Sequence, residues 1–102
     1  MEIINDEKEL SSMIKCDSRF IYFFTPMCGT CKLAHHFLTI VERLEMIPTI
    51  YTVDLNYVKS FADKWQIKSV PCLVYVHNGE VINKLYRFES VTNVYQFIEN
   101  ER

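Results

Sequence analysis

Two cysteines stand two residues apart in Cys28-Gly29-Thr30-Cys31. At a helix start this spacing lets the sulfurs close to disulfide distance. The unpaired N–H groups and partial positive charge of a helix N-terminus favour a thiolate on Cys28. Cys31, inside the first turn, is expected to be more buried. The pattern points to thiol–disulfide exchange. Cys28 attacks a disulfide, and Cys31 then attacks the Cys28 sulfur and releases the reduced product.

Other uses of these side chains fit less well. A structural zinc site needs four ligands, usually with a second close pair. Cys16, His35, His36, Cys72 and His77 are not paired at ligand spacing, so neither a metal nor another cofactor is expected. Cys16 reads as a spectator near a helix end. Cys72 reads as a small buried hydrophobe, with a third redox thiol as the alternative. His35 and His36 are adjacent and cannot share a helix face. The reading is a solvated His35 and a partly packed His36.

The elements around the pair give it force. Phe20-Ile21-Tyr22-Phe23-Phe24 is an unbroken apolar run, as in a central strand covered on both faces. After the cysteines, Leu33, Ala34, Phe37, Leu38, Val41 and Leu44 recur at helical spacing until Pro48. A CxxC between such a strand and such a helix is a strong signal.

Met1 to Ile4 reads as an edge strand, and Asp6 with Glu9 as a capping box for a helix burying Leu10, Met13 and Ile14. Thr49 to Val53 is β-branched and aromatic, a strand. Asn56 reads as the cap of a short helix carrying Val58, Phe61, Ala62 and Trp65. Pro71 opens the run Cys72 to Val76. Asn78-Gly79 marks a tight hairpin, with Glu80 to Arg87 returning. Ser90 caps a last helix with Val91, Val94, Tyr95 and Ile98 inward. The order β-α-β-α-β-α-β-β-α predicts an α/β fold, a mixed central sheet with helices on both faces.

The 102 residues amount to one domain, 1–102. A net charge of −2, from 11 basic and 13 acidic residues, gives no footprint for nucleic acid or an acidic membrane. Met1 to Glu7 lacks a signal peptide's basic start and apolar run, and no stretch is long enough to span a membrane. A cytoplasmic setting is expected, where structural disulfides are rare.

Two segments carry a family resemblance. Thr25-Pro26-Met27-Cys28-Gly29-Thr30-Cys31-Lys32 resembles the thioredoxin active-site segment, and Ser69-Val70-Pro71 through Val81 resembles that family's cis-proline strand and hairpin. The likeness covers nearly the whole chain and implies a thioredoxin-like three-layer sandwich. It further implies a cis Val70–Pro71 bond, in a loop that faces the reactive cysteine and pairs with an extended substrate. Met27, Gly29, Thr30, Val70 and Pro71 then become substrate-binding residues. The implied partners are disulfide-containing proteins and a reductant, either a thioredoxin-reductase-like enzyme or a low-molecular-weight thiol.

Departures from the family pattern qualify the likeness. Met27 stands for a tryptophan, Thr30 for the motif proline, His36 for a kink proline and Arg87 for a groove glycine. Tyr22 and Thr52 replace the family's buried aspartate and its lysine partner, so both charges leave together. A tyrosine is protonated at neutral pH and is a poor base for the second cysteine. Resolution by Cys31 is therefore expected to be slow and to rise with pH. Leu85-Tyr86-Arg87-Phe88 replaces the Gly-Gly pair of a glutathione-binding glutaredoxin. The rival reading is a binding or adaptor module that keeps the fold but turns over little.

Overall fold

The computed structural model describes residues 1–44 and 46–102. In chain order the elements are β1 (Glu2–Ile4), α1 (Glu7–Met13), β2 (Ser18–Phe24), α2 (Gly29–Glu42), β3 (Ile50–Asp54), a 3-10 turn (Leu55–Tyr57), α3 (Lys59–Lys64), β4 (Cys72–His77), β5 (Glu80–Leu85) and α4 (Val91–Glu101). The sheet order is β1-β3-β2-β4-β5. β2 is central, parallel to β3 and antiparallel to β4. The sheet is mixed, as the element order predicts.

Strand periodicity explains the two helical layers. Neighbouring residues of a strand face opposite sides. Phe20 and Tyr22 of β2, with Leu73 and Tyr75 of β4, pack against Ala34, Leu38 and Val41 of α2 and Val94 and Ile98 of α4. Ile21 and Phe23, with Cys72, Val74 and Val76, pack instead against Leu10, Ile14, Phe61 and Trp65. The continuous apolar run is required because both faces are covered. Each such large side chain contributes roughly 1.5–3 kcal/mol on burial.

Local signals set most element ends. Asp6 caps α1 by accepting the Glu9 N–H at 2.8 Å. The Glu9 carboxylate reaches Asn5 rather than the Asp6 backbone, so the predicted capping box is only half formed. Ser90 caps α4, and Asn93 completes a reciprocal box there. Asn56 is not a cap. Asp54 accepts the Asn56 N–H at 2.9 Å and starts the 3-10 turn, while α3 begins after Val58 with no side-chain cap. Asn78 and Gly79 both have positive φ, 49° and 83°, as the tight turn between β4 and β5 demands. β5 ends at Leu85, two residues before the expected Arg87.

Candidate active site

β2 ends at Phe24, and the chain turns through Thr25 to Met27 into α2. Cys28 is the N-cap residue, with extended backbone (φ −91°, ψ 109°), and its sulfur accepts the Cys31 N–H at 3.1 Å. The two cysteines form a disulfide with Cα atoms 5.3 Å apart. Cys31 is 4% exposed, whereas Cys28 is only half-buried. The shielded and accessible sulfurs fall where the sequence puts them.

The Cys31 N–H and the Thr30 hydroxyl both favour a thiolate on Cys28. The first turn of α2 holds no acidic residue. The Thr30 hydroxyl lies 3.4 Å from Cys28 Sγ and can donate to it. A hydrogen bond to a charged acceptor contributes about 1.5–3 kcal/mol when buried and less at an exposed rim. Thr30→Val is therefore expected to raise the Cys28 pKa by roughly one unit. Weaker stabilisation of the reduced form also makes the pair more reducing, by up to about 30 mV. Alkylation rate against pH, together with equilibration in thiol buffers, reads both. Unchanged values would show that the hydroxyl does not touch the reduced sulfur.

The Val70–Pro71 peptide is cis, and the Val70 carbonyl oxygen lies 3.8 Å from Cys28 Sγ. β4 and β2 are neighbours, with Phe23 opposite Cys72. That pairing brings Pro71 beside the end of β2 from 47 residues away in the chain. Thr30, Leu33, Val70, Pro71, Arg87 and Phe88 border a groove of about 420 Å³. Met27 is 95% exposed. A side chain built on Gly29 would meet open space, so this glycine leaves the approach to the sulfur bare.

A family model described as Thioredoxin matches residues 3–100. The chain belongs to the thioredoxin family. It is a thiol–disulfide oxidoreductase, with a Cys pair at disulfide distance. Thioredoxin-like protein YusE of Bacillus subtilis (strain 168) is 39% identical over 90 residues, which cover 86% of this chain and 83% of that one. The thioredoxin of Malassezia sympodialis superposes with a TM-score of 0.86 at 18% identity, covering 98% of this chain and 89% of the other. The oxidised thioredoxin of Plasmodium falciparum gives 0.83 at 24% identity over 98% and 96%. These two structures support the three-layer fold.

Against that family pattern, the replaced charges are adjacent. Tyr22 and Thr52 pair in register on β2 and β3. Tyr22 is fully buried, and its hydroxyl donates to the Cys31 carbonyl at 3.0 Å. Burial pushes that phenol well above its usual range. Thr52 is 6% exposed, and its hydroxyl has no hydrogen-bond partner among the described residues. Neither is a base at neutral pH.

The other two cysteines differ in exposure. Cys16 is exposed, and Cys72 is wholly buried. Burial pushes the Cys72 thiol up to about 12, against an opposing pull from the Tyr86 hydroxyl and Lys84. In the reduced native protein, iodoacetamide is expected to label Cys28 and Cys16 and leave Cys72 unmodified until the chain unfolds. Mass mapping of the adducts tests this. Native labelling of Cys72 would revive the third-thiol alternative.

Sequence reasoning missed Tyr86. Its hydroxyl accepts the Lys68 N–H at 3.2 Å and donates to the Gln66 carbonyl at 3.4 Å. Lys84 Nζ donates to the same carbonyl at 2.9 Å. Together they tie β5 to the segment leading into Val70 and Pro71. Leu33, read as inward, is 52% exposed at the groove. His36, read as partly packed, is exposed on the outside of α2.

Proposed function

We propose that the chain reduces protein or small-molecule disulfides, with Cys28 as nucleophile and Cys31 as the resolving thiol. The observation that carries this reading is the asymmetry of the pair. Cys28 is the accessible N-cap sulfur held by a backbone N–H, and Cys31 is shielded one turn in. The Cys28 thiolate forms a mixed disulfide, then Cys31 displaces the substrate thiol and leaves Cys28–Cys31. Met27, Gly29, Thr30, Val70 and Pro71 bind the substrate, with Val70 and Pro71 positioning its backbone. Residues 1–102 act as one unit in the cytoplasm. A thioredoxin-reductase-like enzyme or a low-molecular-weight thiol returns the electrons.

Among the described residues, no helix is long and apolar enough to cross a membrane. An insulin-reduction assay with dithiothreitol tests the reading. Precipitation should be faster than with dithiothreitol alone. No acceleration would favour the adaptor reading, which draws on the missing buried carboxylate.

A further inference from the structure

Resolution requires the Cys31 thiol to lose a proton inside the protein. A cleft of about 300 Å³ reaches it from the side opposite the substrate groove, bordered by Tyr22, Phe24, Cys28, Cys31, Lys32 and His35. Phe24 and His35 also border a second cavity of about 340 Å³, together with Thr39 and the unpartnered Thr52 hydroxyl. His35 is four residues beyond Cys31 in the continuous helix α2. Side chains four apart lie one above the other on one helix face, with Cβ atoms about 5–6 Å apart. His35 is thus the titratable side chain that borders both the cleft holding the thiol and the cavity beside the replaced charge pair.

The remaining groups around it are unsuited to take the proton. Lys32 carries an ammonium, which has donors and no acceptor. The Tyr22 hydroxyl is committed to the Cys31 carbonyl. Met1 borders the second cavity, and its ammonium is paired with the Glu42 carboxylate at 2.7 Å. Among the described residues, no carboxylate borders either cavity. An imidazole is the side chain that exchanges a proton in the neutral range.

We propose that His35 accepts the Cys31 proton during resolution. The inference rests on Cys31 being the resolving thiol. The Cys31 S–H proton passes to the imidazole nitrogen, directly or through a water that the cleft has room for. The Cys31 thiolate then attacks Cys28 Sγ. The Cys28–substrate S–S bond breaks, and the departing substrate thiolate takes a proton from the imidazolium or solvent. Two electrons move from the dithiol to the substrate disulfide, and His35 returns to its neutral form.

The test is stopped-flow reaction of the reduced protein, in a Cys16→Ser background, with a chromogenic nitrobenzoate disulfide. The first coloured thiolate reports attack by Cys28 and the second reports resolution by Cys31. His35→Gln should leave the first phase unchanged and slow the second about tenfold near neutral pH, within the range of general-base effects. The gap should close towards about pH 8.5, where a thiol ionises unaided. Added imidazole should restore the second phase in His35→Ala. His36→Gln, on the outer face, should match the parent throughout. His35 is exposed and helical, so both variants are expected to fold. An unchanged second phase in His35→Gln, or a loss equal at every pH, overturns the proton-acceptor role and leaves the Cys28/Cys31 assignment standing. A parent protein with no second phase overturns both.

Discussion

Cys31→Ser is expected to collect covalent adducts from a cell extract, all released by reducing agent, while Cys28→Ser collects almost none. The difference follows from geometry. Cys28 sits at the rim with the Cys31 N–H and the Thr30 hydroxyl directed at its sulfur. Removing Cys31 takes away the group that breaks the intermediate and leaves the nucleophile in place. In Cys28→Ser the surviving thiol is 4% exposed and lacks the N-cap position. Both variants should lose catalysed insulin reduction completely, because each lacks half of the dithiol. Non-reducing gels of the captured material make the comparison, and the adducts identify substrates. Equal capture by the two variants would show that the roles are wrongly assigned.

Tyr22→Asp is expected to destabilise the protein by about 3–5 kcal/mol at neutral pH, the range for an uncompensated buried charge. Tyr22 is fully buried, and its register partner Thr52 offers no cation. Desolvation would raise the new carboxyl's folded pKa above the value of about 3.9 in an unfolded chain. Between those two values the unfolded chain binds fewer protons than the folded one. The electrostatic part of the deficit is therefore absent below about pH 4, grows as the pH rises through that window, and stays constant above it. Tyr22→Phe removes only the hydroxyl and its bond to the Cys31 carbonyl, and should cost about 1 kcal/mol with no pH dependence. Urea titrations at acid and neutral pH separate the two. A pH-independent loss in Tyr22→Asp would mean that the carboxylate reaches solvent through the cleft beside Cys31.

The sequence carried the architecture wherever one local rule decided the outcome. The Phe20–Phe24 run placed the central strand because only a strand covered on both sides tolerates five consecutive apolar residues. Asn78-Gly79 set the hairpin because two positive φ values are needed there. The Cys28–Cys31 spacing and its position after β2 identified the redox centre, and the family resemblance supplied the cis-proline loop. Failures arose where the partner was distant in the chain. Leu33 follows the helical rhythm, but in α2 it projects at the groove beside Pro71 instead of over the sheet. The Tyr86 link to Lys68 and Gln66 exists because β4 and β5 pair with Leu73 opposite Leu85, a register that spacing alone does not reveal. At Asp54 and Asn56, two cap-forming residues lie two apart, and composition does not say which meets the free N–H. His35 is exposed, as read, but adjacent histidines on a helix carry no periodic signal, and only the fold places the cleft beside one of them.

The central position of β2 has a further consequence for amide hydrogen exchange. Its strand is bonded on both sides, to β3 and β4, and Phe20 to Phe23 are at most 2% exposed. Amides so enclosed exchange only when the whole molecule opens, whereas those of outer strands exchange through local fraying. β1 and β5 are the outer strands, each paired on one side. The dithiol begins four residues after the end of β2, attached to the last part of the sheet to let go. Slow exchange should therefore centre on Phe20 to Phe23 and fall off towards Glu2–Ile4 and Glu80–Leu85. Partial opening at either margin would leave the spacing of the two sulfurs undisturbed.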